Sequence, residues 1–465
     1  MPRVAVAGVK SGVGKTTIAA GIMAAFAGRG LRVQGFKVGP DYIDPTYHAA
    51  ATGRVSRNLD PVLVSPEAVK ESFLRAARTA DLAVIEGVMG LFDGQVGSGH
   101  GSTAEVCRQL DTPVILVVDA SSLGQSVAPL IWGYSRFDPR VRVAGVILNW
   151  VAGPRHASLL RQAVEGGTGI PVVGVVPREE AMSLPSRHLG LVPAVEREDL
   201  ARATRRLGEI ASRYLDLNRI LDLARGAPDL EPPPASVFPL APPRQRWPIA
   251  VARDAAFHFY YQDSLEYLEA LGAELVPFSP LEDRCLPGGA AGVYLGGGFP
   301  EVFLESLSAN RALQAELRRR AAEGMPIYAE CGGLMYLCRE VRDGEGRAWP
   351  LVGLLPADCY LERRLVSMGY RQATVLRRNL LFDAGRRVTG HEFHYSRLEV
   401  TTPDFPWAYE VEEGQSGSRV EGYARGNLLA SYLHLNFLGC PEGAARFLEA
   451  ARGYARGLPP AKPPG

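Results

Sequence analysis

One stretch near the start of the chain constrains the fold more than any other. Gly8-Val9-Lys10-Ser11-Gly12-Val13-Gly14-Lys15-Thr16-Thr17 follows the short β-branched run RVAVAGV and opens the segment TTIAAGIMAAFAGRG. Apolar run, glycine-rich turn and helix-forming segment, in that order, predict strand, loop and helix, the helix ending at Gly28 and Gly30. Glycine lets backbone N–H groups approach phosphate oxygens, and the helix N-terminus adds partial positive charge. Gly12 and Gly14 shape the loop and Lys15 reaches the terminal phosphates. The Thr16 hydroxyl is placed to ligate Mg²⁺, with Thr17 beside it. The expected ligand is ATP. Such a strand needs a covered, mostly parallel sheet around it.

The following segments supply that sheet. VQGFKVG, DLAVIEGV (81–88), TPVILVVDA (112–120), VRVAGVILNW (141–150) and IPVVGVVP (170–177) read as apolar strands separated by helical segments. The alternation stops near 225, where GAPDLEPPPASVFPLAPPRQRW (226–247) begins. Proline removes donors and favours extended backbone, so this segment suits a linker. Strand-like PIAVARD, AELVPF, AGVYLGG and MPIYAE follow. The expected organisation is a P-loop NTPase-like domain over 1–225, a linker over 226–247, a second α/β domain over 248–456 and a mobile tail over 457–465.

Composition removes other classes. Lys+Arg is 51 and Asp+Glu is 50, a net charge of +1, which argues against broad nucleic-acid binding. No run of about 18 apolar residues suggests a membrane span, and the start of the chain lacks the shape of a signal peptide. The six cysteines (107, 285, 331, 338, 359 and 440) form no CxxC pair, so a disulfide framework is not expected. A cytoplasmic protein with reduced thiols follows.

Two acidic clusters accompany the phosphate loop. Lys37-Val38-Gly39-Pro40-Asp41-Tyr42-Ile43-Asp44-Pro45 follows the second strand, and Glu86-Gly87-Val88-Met89-Gly90-Leu91-Phe92-Asp93-Gly94 follows the third. Ligands in open α/β sheets bind beyond the carboxyl ends of the strands, where both clusters fall. Glu86 suits Mg²⁺ ligation, directly or through water; a helix cap or a salt bridge is the alternative. For Asp44 and Asp93, turn chemistry beside Pro45 and Gly94 stands equally open.

A second site lies in MPIYAECGGLMYL (325–337), which reads as strand, tight turn and helix. Cys331 at such a turn is exposed as a nucleophile, and the helix N-terminus is expected to lower its thiol pKa. Other cysteines, including Cys338 two turns along, lack that setting. His434 in ASYLHLNF is the expected base, with Ser431 and Tyr432 nearby. Backbone N–H groups of Gly297, Gly298 and Gly332 are expected to form an oxyanion hole.

These residues carry a resemblance. GGGFPE, the cysteine turn and GNLLASYLHLNF are similar to class I glutamine amidotransferase domains, implying a flavodoxin-like α/β fold. Cys331 would then attack glutamine, giving a glutamyl thioester and ammonia, with His434 as base. Many members carry H-x-E, whose acid orients the histidine; here that position is Asn436, which leaves the third member open. The phosphate loop resembles the deviant Walker A form, with Lys10 as its early extra lysine. In some relatives that lysine crosses a dimer interface, which points to a homodimer unless Lys10 stays within its own subunit. The first domain also resembles dethiobiotin synthetase, implying Thr16, Asp41 and Glu86 as Mg²⁺ neighbours and Lys15 and Lys37 on phosphate.

Over nearly the whole chain, KVGPDYIDP, EGVMGLFDG, AECGGLMYL and GHEFHYSR resemble the cobyrinic acid a,c-diamide synthase family. The resemblance implies ATP and L-glutamine as co-substrates and a corrin polycarboxylate whose a and c arms become acyl phosphates and then amides. It places Tyr42, Ile43, Asp44 and Asp93 on the acceptor side, with Asp44 and Asp93 in acceptor binding or catalysis, and expects ammonia to pass internally between sites. Hydrogenobyrinic acid and Ni-sirohydrochlorin are alternative substrates. An alternative of another class is a deviant-Walker positioning ATPase with a degenerate C-terminal binding domain. His391 and His394 read either as a metal pair or as support for a pocket or interface. Arg363-Arg364 and Arg386-Arg387 read either as docking points for carboxylate arms or as solvated loop charge.

Overall fold

The computed structural model describes residues 1–178, 196–239, 245–413 and 417–457. Residues 240–244 of the expected linker and 458–465 of the expected tail lie outside these. The chain divides into two compact units between Val237 and Phe238, within the proline-rich stretch.

In the first unit the strands are β1 (Arg3–Gly8), β2 (Val33–Val38), β3 (Arg57–Leu59), β4 (Leu82–Glu86), β5 (Val114–Asp119), β6 (Val143–Val151) and β7 (Val172–Pro177). They form one sheet in the order β3-β2-β4-β1-β5-β6-β7, every pairing parallel. The helices are α1 (Lys15–Gly28), α2 (Asp44–Thr52), α3 (Pro66–Ala77), α4 (Thr103–Gln109), α5 (Val127–Phe137), α6 (Pro154–Thr168), α7 (Glu196–Tyr214) and α8 (Leu217–Arg225). Strands covered on both faces are near-continuous apolar runs, with a buried polar residue kept only where it finds a partner. Val4, Val6, Val84, Ile115, Val117 and Ile147 are accordingly fully buried in one cluster with Ile18, Ile22 and Phe26 of α1. Residues 228–237 of the proline-rich segment are held to this unit by hydrogen bonds. Glu71 of α3 accepts the Ser236 hydroxyl at 2.6 Å and the Val237 N–H, and Arg3 Nη2 donates to Pro228 O at 2.7 Å.

In the second unit the strands are β8 (Trp247–Ala252), β9 (Phe257–Phe259), β10 (Ala273–Phe278), β11 (Gly292–Leu295), β12 (Gly297–Gly298), β13 (Ile327–Glu330), β14 (Glu340–Arg342), β15 (Ala348–Pro350), β16 (Ala357–Leu361), β17 (Ser367–Val375), β18 (Arg387–His394), β19 (Ser396–Val400), β20 (Trp407–Glu412), β21 (Ser418–Arg425) and β22 (Leu428–Ser431). Helices α9 (Gln262–Leu271), α10 (Leu304–Ala309), α11 (Arg311–Ala322), α12 (Gly332–Leu337) and α13 (Pro441–Ala455) accompany them. The main sheet runs β10-β8-β11-β13-β22-β21-β20-β17-β18. Its first five strands are parallel and the rest antiparallel. A separate core gathers Ala250, Val293, Leu295, Ile327, Ala329 and Ala430. The protein is thus α/β in both units. Among the described residues, no helix is long and apolar enough to cross a membrane.

Candidate active sites

The first site lies where β1, β2 and β4 end beside α1. Gly12 and Gly14 take φ of 76° and 91°, and Gly14 caps α1, which starts at Lys15 and continues through Thr16 and Thr17. A side chain on Gly14 would collide with the amide of Asn149, which donates to Val13 O at 2.9 Å and pins the loop. Lys15 Nζ donates to Lys10 O at 3.2 Å. Lys10 itself is 63% exposed and pairs with Asp119 of the same chain at 3.3 Å.

Beneath the loop, four predicted residues converge. Thr16 Oγ1 donates to Glu86 Oε1 at 2.6 Å and lies 3.3 Å from Asp44 Oδ2. Lys37 Nζ lies 2.7 Å from Asp44 Oδ2 and 2.9 Å from Glu86 Oε1. A fifth member, His48 on α2, places Nε2 at 2.6 Å from Glu86 Oε2 and Nδ1 at 3.0 Å from Ser56 Oγ. All but Thr16 are at most 3% exposed. Burial opposes the Glu86 charge, but the Lys37 ammonium and the His48 hydrogen bond overcome it and hold that carboxyl below its usual range. Burial and then the Glu86 charge push Asp44 up to about 7, against Lys37. Lys37 gains from both carboxylates more than burial removes, so its pKa rises. An alcohol oxygen beside two carboxylates is a hard donor set of the kind Mg²⁺ takes, so the residues present fit that ion.

Two predicted acids stand apart. Asp41 Oδ1 accepts the N–H groups of Ile43 and Asp44, at 2.8 and 3.0 Å, in a turn just ahead of α2. Its charge still acts on Lys37 and Asp44, but Asp44 occupies the place beside Thr16. Tyr42 and Ile43 lie half-buried between the two acids. Asp93 is exposed and Oδ2 accepts Gly90 N–H at 2.8 Å, the turn chemistry expected beside Gly94. Burial and then the Asp93 charge push up the pKa of Tyr134, whose hydroxyl donates to Val9 O at 2.5 Å.

The second site is a strained turn between β13 and α12. Cys331 has φ 47° and ψ −101°, a conformation a residue with a β-carbon adopts only under constraint. The constraint comes from both sides: Cys331 N–H donates to Ser431 O at 2.7 Å, and α12 begins at once. A β-carbon on Gly332 would lie 3.2 Å from Gly298 N, so the backbones of the predicted oxyanion donors are adjacent. On Gly297 it would strike His434 Cε1 at 2.5 Å and Nε2 at 3.3 Å, so that edge of the base faces the same loop. Cys331 Sγ lies 3.7 Å from Phe393 O of β18. The thiol contradicts one expectation. Burial and the charge of Glu301 push its pKa up, and the Gly332 N–H that lowers it does not prevail. α12 is too short for its terminus to outweigh that desolvation.

GHEFHYSR frames this site. His391 and His434 exchange backbone hydrogen bonds at 3.0 and 2.8 Å. His394 stacks on Tyr432 with ring centroids 3.8 Å apart, and the Tyr432 hydroxyl meets Ser396 Oγ at 2.8 Å. Glu421 receives the Ser431 hydroxyl at 2.7 Å and Tyr432 N–H at 2.6 Å. Residues three apart on a strand face opposite ways, so His391 and His394 do not form a metal pair. No group of three or more His, Cys, Asp and Glu among the described residues is arranged to hold a metal. Arg386 and Arg387 are engaged with Glu442 and Glu412, and Arg363 and Arg364 are exposed.

The sequence reading missed His48 and one further acid. Glu330, the residue before the nucleophile, places Oε2 at 3.7 Å from His434 Nδ1, while Asn436 hydrogen-bonds Ser264 and Leu438 N–H instead. The rule that singled out Glu86, an acid closing an apolar strand, applies equally to Glu330.

Two family models match the chain. Residues 4–192 match the CobQ/CobB/MinD/ParA nucleotide binding domain, and residues 248–441 match the CobB/CobQ-like glutamine amidotransferase domain. Similar to the chain is the cobyrinate a,c-diamide synthase of Dehalococcoides mccartyi, 43% identical over 97% of this chain and 99% of that protein. The cobyrinate a,c-diamide synthase of Gloeobacter violaceus is 47% identical over 95% of each. The hydrogenobyrinate a,c-diamide synthase of Streptomyces coelicolor is 45% identical over 97% of this chain and 98% of its own length.

Proposed function

The chain belongs to the cobyrinate a,c-diamide synthase family, and from its two sites we propose that it amidates the a and c carboxylates of cobyrinic acid, using ATP and glutamine, in cobalamin biosynthesis. The observation that carries this is the presence on one chain of a strained Cys331 turn and His434, both set against the Gly297–Gly298 loop, and a buried Thr16–Lys37–Asp44–Glu86 cluster under a phosphate loop.

A carboxylate is a poor acyl donor because its leaving group would be oxide. Its oxygen therefore attacks the γ-phosphorus of ATP, the bond to the β-phosphate breaks, and ADP departs from an acyl phosphate. Two anions meet in that step, so the phosphates must be neutralised. Lys15, Lys37 and the N–H groups of the loop do so. Thr16 and Glu86, with Asp44, would hold Mg²⁺, which when bound supplies further positive charge to the phosphates. In the second unit Cys331 Sγ passes its proton to His434 and attacks the amide carbon of glutamine. Backbone N–H groups of Gly298 and Gly332 receive the oxyanion. His434 returns the proton to the leaving nitrogen, ammonia departs, and water frees glutamate from the thioester. Ammonia then attacks the acyl phosphate and displaces phosphate. A positioning ATPase has no use for either the acid cluster or the thiol.

The decisive assay supplies cobyrinic and hydrogenobyrinic acids in turn and counts amides by mass. The Streptomyces relative gives the second pigment its weight. Two amides on the cobalt pigment are expected, and preference for the metal-free one would move the assignment. Cys331→Ala is expected to lose glutamine-driven amidation and keep amidation driven by added ammonia. Loss of both in a folded variant would sink the division of labour.

A further inference from the structure

Glu330 ends β13 one residue before the nucleophile, and its side chain and that of His434 are each 1% exposed. Three donors fix its carboxylate. Oε1 receives the Tyr328 hydroxyl at 2.5 Å and Leu435 N–H at 3.0 Å, and Oε2 receives the Tyr294 hydroxyl at 3.0 Å. Leu435 follows His434 directly, so one carboxylate grips the backbone beside the base while facing its ring. His434 turns its Nδ1 edge to Glu330 and its Cε1–Nε2 edge to the glycine loop of the oxyanion hole. Asn436 stands where an H-x-E acid would, yet its Oδ1 is taken by Ser264 at 3.4 Å and Leu438 N–H at 3.0 Å.

We propose that Glu330 is the positioning residue that completes the Cys331–His434 pair, orienting the ring and stabilising the imidazolium formed when the thiol gives up its proton. The inference rests on the glutaminase reading of Cys331. At 3.7 Å the resting contact is longer than an ordinary hydrogen bond; with the neutral ring's proton on Nδ1, Nε2 is free to take the thiol proton, and the contact to Glu330 shortens once the ring is charged. The same carboxylate opposes a lone thiolate, being one of the charges that raise the Cys331 thiol. It therefore favours the ion pair over a lone thiolate, which ties proton transfer to attack.

Glu330→Gln keeps size and one acceptor oxygen and removes the charge. Expected is a fall of about 100-fold in kcat for glutamine-driven amidation, with KM for glutamine within about threefold of wild type. Ammonia-driven amidation by the same preparation should stay within about twofold. Unchanged kcat with glutamine overturns the proposal, as does a parallel fall in ammonia-driven activity, which marks a merely structural role. Asn436→Ala supplies the second arm. Its kcat within about threefold of wild type supports Glu330, whereas a loss of about 100-fold with ammonia-driven activity kept assigns the role to Asn436 and overturns it. If Cys331→Ala still uses glutamine, the parent reading has failed, separately from this one.

Discussion

Lys37 carries more of the first site than its place outside the phosphate loop suggests. Its ammonium lies between Asp44 and Glu86, which would otherwise be two buried carboxylates within reach of one hydroxyl. Removing one member of a buried ion pair costs about 3 to 5 kcal/mol, because the remaining charge is left unpaired. Lys37→Met should destabilise the protein on that scale in urea denaturation, and wild-type stability would contradict the buried pairing. Asp44→Asn leaves Lys37 with Glu86, so folding and ATP binding should survive while amidation falls. Unchanged amidation kinetics would return Asp44 to a helix-starting role. Lys15, Thr16 and Glu86 were legible in the sequence because a phosphate loop and strand-end acids are local patterns, whereas Lys37 was reached only through the resemblance to dethiobiotin synthetase. His48 was not legible, because it lies inside an unremarkable helical segment and gains meaning only when α2 folds against β2 and brings its ring to Glu86.

At the scale of elements, β18 supports the thiol site, and it does so with two histidines held neutral. Burial and the neighbouring His434 hold His391 down at about 3, and burial outweighs Glu392 to hold His394 at about 4. The unfolded chain takes up protons near the ordinary histidine value, about 6.5, while the folded chain does not. Stability contributed by these groups is therefore present above that value, falls as pH drops below it, and levels off beneath the folded values. Each histidine contributes up to about 1.4 kcal/mol per pH unit in that window. Urea denaturation near pH 7.5 and near pH 5.5 should show wild type losing about 2 to 3 kcal/mol more than a His391→Asn/His394→Asn variant. Equal losses would sink this account. Neither β18 nor its antiparallel neighbours β17, β20 and β21 were legible beforehand. Each has a partly exposed face and a mixed sequence such as SMGYRQATV, whose register comes from pairing rather than from an apolar run. Among the parallel strands of the first unit, β1, β4 and β5, buried throughout or nearly so, declared themselves, whereas the short edge strand β3 did not.

For the whole molecule, a net charge of +1 hides a strict separation of chemistries. ATP and a polycarboxylate pigment are both anions, so the positive charge that receives them must be local. In the proposed mechanism it is gathered in the first unit, on Lys15, Lys37, the loop N–H groups and the cation that Thr16 and Glu86 would hold. Thiol chemistry in the second unit needs no such charge, because the amide carbon of glutamine is neutral and its oxyanion is met by backbone donors. Chelation of divalent cations should therefore abolish amidation whether glutamine or ammonia is the donor, and added Mg²⁺ should restore it. Labelling of Cys331 by an electrophilic glutamine analogue, followed by mass, should proceed within about twofold of its rate without chelator. Amidation that persists under chelation would remove the cation from the first site. Labelling that slows in step with amidation would mean that the thiol reaction itself depends on the cation, which a strained cysteine, an imidazole and a carboxylate give no physical reason to expect.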